Sequence, residues 1–368
     1  MTKKLTVVQM LPELVSGGVE RGTLEMGKYL VDHGHRSIVI SAGGSMVPQL
    51  QDEGSEHISL PVGKKSLITL RYISKVKKIL VQEKPDVLHL RSRFPAWIGY
   101  LAWKKIPAIN RPTLITTVHG RYFVSKYSGI MMRGEKVIAV SEMIRKYIIG
   151  NYSYVEPSKV QVVCRGVDTS KYIFGYEPNA DWKNEWYGSF PQMLGKKLLT
   201  LPGRLTRLKG HSDFIAMLNE LVKTGQNVHG VVVGGTHPKK KKYETKLIKS
   251  ITDLKLQSHI TFVGQRHDMK EIFAISSIVY SLSQTPESFG RTTLEALSIG
   301  TPVIGYAHGG VEEQLNILFP AGLIPIGSTE DAVLKTKAFL ADEQTPKTNN
   351  VLTLENMCKG VLAVYEGD

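Results

Sequence analysis

Pro286-Glu287-Ser288-Phe289-Gly290-Arg291-Thr292-Thr293-Leu294-Glu295-Ala296-Leu297-Ser298-Ile299-Gly300-Thr301-Pro302-Val303-Ile304-Gly305 carries the punctuation of a parallel α/β protein. The apolar run 278–282 before it reads as a strand. Leu294, Leu297 and Ile299 recur near helical spacing, and 302–304 reads as a further strand. In an open α/β sheet ligands sit beyond the carboxyl ends of the strands. There Phe289, Gly290 and Arg291 present backbone N–H groups at a helix start, a corner that holds an anion, most simply a phosphate. Glu287 lies in the loop and Glu295 within the helix, so two carboxylates flank the corner from different elements. The plain alternative is a pair of solvated surface acids.

The Glu, seven residues, Glu spacing is filled as E-S-F-G-R-T-T-L-E and followed by A-L-S-I-G-T-P-V-I. This resembles the donor-site signature of retaining GT-B glycosyltransferases of the large glycogen-synthase-like family four, also called group 1. The resemblance implies an α/β GT-B fold, two Rossmann-like domains facing across a cleft, and transfer of a sugar with retention of anomeric configuration.

At 368 residues, 42% hydrophobic and 22% charged, the chain has the composition of a soluble globular protein of about two domains. Lys3 and Lys4 precede an apolar stretch, 5–11, that is too short and too polar at Gln9 for a signal-peptide core. No apolar run reaches membrane-spanning length, so a cytoplasmic protein is expected. Cys164 and Cys358 lack disulfide-framework or metal-ligand spacing and read as reduced packing residues. The net charge of +14 is uneven: residues 1–180 hold 26 Lys and Arg against 14 Asp and Glu, residues 181–368 hold 21 against 19. A basic first half fits nucleic acid, an anionic bilayer surface or a phosphorylated substrate, and charge alone does not choose among them.

In the first half, 4–10 reads as a strand followed by Gly17-Gly18 and an amphipathic segment to about 33. A Gly-Gly here is by itself only a turn signal; the resemblance makes Gly17 and Gly18 donor-contacting. Residues 37–41 read as a strand. Residues 67–80 read as one amphipathic helix with a basic outer face, either solvated or resting on a membrane surface. Strand 86–90 delivers Arg91-Ser92-Arg93, whose guanidinium forks suit a phosphate or local acids. The run Arg91 to Trp97, with Thr116-Thr117-Val118-His119-Gly120, resembles a bacterial branch linked to lipopolysaccharide and other envelope glycans. By that resemblance His119, after strand 114–118, meets the transferred sugar. Arg91 and Arg93, at a strand end in the other half from Arg204 and Lys209, are read from that position as acceptor contacts. Strand 137–140 leads to Ser141, a helix cap or a phosphate contact. After strand 160–163, Arg165-Gly166-Val167-Asp168 departs from the Asn-Gly-Val-Asp usual in similar proteins.

Residues 171–196, without clear periodicity, read as a linker. Strand 198–201 then opens the second half, and Gly203-Arg204 and Lys209-Gly210 bring two cations toward a helix beginning near His211. That pair can neutralise a diphosphate leaving group. The resemblance assigns Arg204 and Lys209 to donor phosphates, and Gly264 and Arg266, after strand 260–263, to the edge of the nucleotide base. Strand 228–234 precedes a lysine tract, 239–242, read as a solvated helix start. Residues 352–365 have helical periodicity, and the resemblance implies that this helix crosses back onto the first domain.

The expected layout is an acceptor-binding domain over 1–175 joined by the last helix, about 350–368, a linker over 176–196, and a donor-binding domain over 197–349. The expected reaction is transfer of a hexose, first choice from a UDP-hexose, to an anionic glycan or glycolipid acceptor of the lipopolysaccharide-core type. The expected setting is the inner membrane face, with possible peripheral contact with its anionic surface. Catalytic roles fall to His119 and Glu287; donor contacts fall to Gly17, Gly18, Arg204, Lys209, Gly264, Arg266, Phe289, Gly290, Arg291 and Glu295. No Asp-x-Asp occurs, so no metal or other cofactor is expected. A GT-B nucleotide-sugar epimerase and a basic nucleic-acid-binding protein are the rivals. The first would epimerise donor without acceptor. The second is weakened by the lack of zinc spacing and RNA-binding aromatic motifs, so no nucleic-acid partner is expected.

Overall fold

The computed structural model describes residues 3–235 and 241–367. They form two compact units. The first runs to Cys164 and takes back the chain from Leu354; the second is Arg165–Thr353.

In the first unit β1 (Thr6–Met10), β2 (Arg36–Ser41), β3 (Glu56–Ser59), β4 (Val87–Leu90), β5 (Thr113–Val118), β6 (Lys136–Ala139) and β7 (Val160–Val162) make one sheet in the order β3-β2-β1-β4-β5-β6-β7. All its neighbours are parallel. Parallel neighbours need helical crossovers, which cover both faces. The central strands are accordingly buried along nearly their whole length and mostly apolar, with Val7, Val8, Met10, Ile38, Ile40 and Leu88 fully buried. Strand order reverses between β1 and β4, which opens a crevice at their carboxyl ends.

The second unit repeats the plan. β8 (Lys197–Pro202), β9 (Val228–Val233), β10 (Ile260–Gly264), β11 (Ile278–Ser281), β12 (Val303–Tyr306) and β13 (Leu323–Ile324) run in the order β10-β9-β8-β11-β12-β13, again parallel. Its reversal lies between β8 and β11, so the loops that follow those two strands share the ligand corner.

The helix Leu354–Glu366 belongs to the first unit. Met357, Cys358, Val361 and Val364 share a buried cluster with Leu5, Val7, Met26, Leu30 and Val87. The Tyr365 hydroxyl lies 2.7 Å from His89 Nδ1, and His89 Nε2 lies 2.6 Å from the Thr117 hydroxyl, which ties this helix to β4 and β5. Neither Cys164 nor Cys358 is in a disulfide. Among the described residues no helix is long and apolar enough to cross a membrane.

Three segments differ from the expected elements. Residues 67–80 are not one helix. A 3₁₀ turn, Leu67–Arg71, is capped by the Ser66 side chain, and the α-helix Tyr72–Glu83 buries Tyr72, Val76 and Leu80 at four-residue spacing, leaving Ile68 and Leu70 exposed. The Arg91-to-Trp97 run is helical from Arg93 to Lys104, with Pro95 in the first turn, where its missing N–H leaves no helical bond unmade. The stretch read as a linker contains the helix Ala180–Ser189, capped by Asn179. Trp182 and Trp186 stack at 5.2 Å and Phe190 closes on Trp186 at 4.8 Å, an aromatic stripe at helical spacing. Of the lysine tract, residues 239 and 240 lie outside the described residues.

Candidate active site

The corner of the second unit is built by three strand ends. Beyond β8 the chain turns through Gly203 to a short 3₁₀ segment, Arg207–Lys209, and Gly210 starts the helix His211–Lys223. Gly210 has φ +74°, and a Cβ on it would lie 2.0 Å from the carbonyl oxygen of Leu282, just past β11. Only glycine permits that approach and that backbone conformation, so the β8 loop is seated directly on the β11 loop. Across this seam Lys209 Nζ reaches Glu287 Oε1 at 2.7 Å. The Ser283 hydroxyl donates to the same carboxylate oxygen. From the end of β12, the His308 Nε2–H donates to the Ser283 carbonyl at 2.7 Å, and the Gly310 amide donates to the Glu287 carbonyl at 2.8 Å. A Cβ on Gly310 would lie 2.4 Å from Phe289 Cα, so the Glu287–Phe289 loop packs backbone to backbone on the start of the helix Gly309–Leu318.

Burial alone would raise the Glu287 pKa. The adjacent Lys209 charge, its hydrogen bond and that of Ser283 outweigh burial and hold the carboxyl below the ordinary glutamate value, so it is ionised at neutral pH. His211, buried beside Lys209, is pushed down to about 4, chiefly by desolvation, and stays neutral. Arg204 is exposed and forms no ion pair among the described residues. The corner therefore offers one cation tethered to an internal acid and one open to solvent.

Gly290, φ +91°, starts the helix Arg291–Ser298 with no side-chain cap, so its positive end faces the corner, where an anion is favoured. Glu295 is 5% exposed, and its carboxylate accepts from Arg291 Nε at 3.0 Å, so it is not a solvated surface acid. Gly264 ends β10. The Arg266 guanidinium donates in fork fashion to Asp268, at 2.9 and 2.6 Å, and lies 5.6 Å from the Trp186 ring centre. Among the described residues no group of three or more His, Cys, Asp or Glu is disposed to hold a metal.

In the first unit, Gly17 and Gly18 open the helix Gly18–Asp32, and a Cβ on Gly17 would lie 2.5 Å from Glu20 Oε2. The carboxylate thus folds back over the helix start, where a capping-box acid sits. Arg91 is 5% exposed and donates to Gln9 Oε1 at 2.8 Å, while Gln9 Nε2 reaches the Thr23 carbonyl at 3.3 Å. Burial lowers the Arg91 pKa. Arg93 instead lies over the rings of Tyr122 and Tyr127, at 4.6 and 5.6 Å. The two arginines have different neighbours and form no joint clamp. Half-buried His119 follows β5, its amide 3.4 Å from the Tyr122 hydroxyl. Ser141 caps the helix Glu142–Asn151, accepting from the Ile144 amide.

Ser283, His308, Gly309 and Gly310 escaped the sequence reading. The only signal was the His-Gly-Gly just after the β12 segment, the third strand end at one corner.

Two Rossmann-like parallel sheets, the second carrying a Lys–Glu pair and an open helix start at its point of strand reversal, define the GT-B class of fold. The family pattern described as Glycosyltransferase Family 4 matches residues 16–171, and that described as Glycosyl transferases group 1 matches residues 184–352. The N-acetyl-alpha-D-glucosaminyl L-malate synthase of Bacillus anthracis is 24% identical over 343 residues, 90% of this chain and 86% of that protein. The UDP-Gal:alpha-D-GlcNAc-diphosphoundecaprenol alpha-1,3-galactosyltransferase of Escherichia coli is 26% identical over 328 residues, 82% of this chain and 78% of that protein. A crystal structure of a glycosyltransferase from Rickettsia africae ESF-5 is 28% identical with a TM-score of 0.86, covering 99% of this chain and 98% of that one. Glycosyltransferase patterns, the second of them that of group 1, thus match residues 16–171 and 184–352, most of the chain.

Proposed function

We propose that the protein transfers a hexose from a nucleotide-diphosphate donor, first choice UDP, to an anionic cell-envelope acceptor, with retention of configuration and without a metal. The observation that carries this reading is the Lys209–Glu287 pair at the reversal of the second sheet, beside the uncapped helix start at Gly290 and the open cation Arg204. A diphosphate leaving group placed there gains two cations and helix amides as its charge grows. In this reading Glu295 anchors the nucleotide, and Glu287 and His119 face the sugar. The Escherichia coli relative, whose name gives a UDP-sugar donor and a lipid-linked diphosphate acceptor, supports the donor and acceptor classes proposed here.

A thermal-shift screen of nucleotide sugars tests the donor. The true donor, at about 100 times its dissociation constant, adds about 2.7 kcal/mol of stability. A flat response to every nucleotide sugar sinks the reading. EDTA treatment should leave turnover unchanged, and the product's anomeric configuration, read by NMR, should match the donor's.

The basic first unit is proposed to meet the membrane face through Ile68 and Leu70, 66% and 43% exposed, ringed by exposed Lys64, Lys65, Arg71 and Lys75. Sedimentation with anionic vesicles should be strong at low salt and fall toward physiological salt, because exposed charges are screened over about 8 Å there. Absence of co-sedimentation at low salt rules the docking out.

A further inference from the structure

A cavity of about 660 Å³ opens in the first unit between the helix Arg93–Lys104, the loop after β5 and the chain around Tyr154. Its walls include the rings of Trp97, Tyr100 and Tyr154, with Val124 and Ile130. Lys104, Lys126 and Arg133 also line it, and no acidic side chain does. Lys104 lies 5.7 Å from the Tyr100 ring centre and Arg133 lies 5.5 Å from that of Tyr154, so two cations are held over the walls. Among the described residues none of the three pairs with a carboxylate. Val124 and Tyr154 are 45% and 57% exposed, apolar surface that the core of this unit does not use. Val124, Ser125 and Lys126 stand on the same loop that begins at His119.

Three unopposed cations demand an anion, and a sheath of rings and aliphatic carbon demands something apolar attached to it. A free phosphate would leave the walls wet. A bare sugar would leave the three cations without an anion. We propose that this cavity binds the phosphate-bearing end of an acceptor that is a phosphate ester of a long-chain alcohol. The phosphates meet Lys104, Lys126 and Arg133, and the first carbons of the chain lie against Trp97, Tyr100 and Tyr154. The proposal rests on the reading above that an anionic acceptor is taken by the first unit, and it names that acceptor's class and seat.

Farnesyl diphosphate is a soluble probe, and its binding to the full chain is read by calorimetry and by Trp fluorescence. It should saturate one site, while inorganic pyrophosphate and farnesol bind far more weakly. The exposed double substitution Lys126→Glu/Arg133→Glu should weaken it about 10²- to 10⁴-fold, the loss of two charge-assisted contacts. Lys209→Ala, in the other unit, should leave it unchanged. Circular dichroism confirms that each variant is folded. Wild-type affinity in the double variant, loss of binding in Lys209→Ala, or equal binding of pyrophosphate overturns the assignment. Transfer to a phosphorylated lipid assayed in parallel separates the two ideas: turnover that persists while the cavity fails the test leaves the acceptor class standing.

Discussion

Glu287→Gln is expected to lower turnover by about 10²- to 10³-fold, the usual loss when one preorganised stabiliser of transition-state charge is removed. Affinity for the free nucleotide diphosphate should hold or improve. In the ligand-free chain Lys209 is tied to Glu287 at 2.7 Å, so the neutral amide releases a full ammonium charge to the phosphates. Glu295→Gln should behave oppositely. That carboxylate is buried, and a hydrogen bond to a charged group contributes about 1.5–3 kcal/mol, so nucleotide affinity should fall about 10- to 100-fold. Calorimetry with the nucleotide diphosphate beside steady-state rates separates the two. Equal loss of nucleotide affinity in both variants would mean that the acids act as one unit. The pair also has a pH signature. The folded-state pKa of Glu287 is lowered, so its contribution to stability is complete above the ordinary glutamate value of 4.5 and is lost as pH falls through the lower folded value. The stability gap between wild type and Glu287→Gln should therefore close on acidification below about 4.5.

Gly210→Ala is expected to unfold or severely destabilise the second unit, by more than about 3 kcal/mol in urea titration. The left-handed backbone alone costs a non-glycine residue about 1–2 kcal/mol. The added Cβ also meets the Leu282 carbonyl oxygen at 2.0 Å and Leu282 Cβ at 2.5 Å, which forces the β8 and β11 loops apart. Gly225 supplies the control. Its φ of +75° is nearly the same, but nothing lies within 4 Å of a Cβ built there. Gly225→Ala should cost only the backbone term. If the two substitutions destabilise equally, the seam between the loops is not what Gly210 protects. A Gly210→Ala protein that does fold should have lost nucleotide affinity, because Lys209 is displaced with the loop.

The alternation of apolar β-branched runs with glycine-led helices makes the two parallel sheets readable, and among the described residues the thirteen strands, all but β3 and β13, lie within about two residues of the runs that predict them. What sequence cannot carry is meeting across distance. Lys209 and Glu287 are 78 residues apart, and their pairing depends on strand order, not on either local motif. Ser283 and His308 were overlooked for the same reason. The helix Ala180–Ser189 went unseen because its Trp182–Trp186–Phe190 stripe is interrupted by Gly188 and flanked by prolines, which mimic a linker. Arg91 and Arg93 looked like one clamp because they are two residues apart. The helix that begins at Arg93 turned the second arginine toward the tyrosines and left the first, just past β4, buried against Gln9.

The return of the helix Leu354–Glu366 to the first unit sets an order of assembly during translation. The second unit is one continuous piece of chain and needs nothing beyond Thr353 to close its sheet. The first unit, although synthesised first, must wait with the face formed by Leu5, Val7, Met26 and Leu30 uncovered until Met357 to Tyr365 emerge. A released chain truncated after Thr353 should thus display a folded later half beside an earlier half that is sticky, protease-sensitive and a target for chaperones.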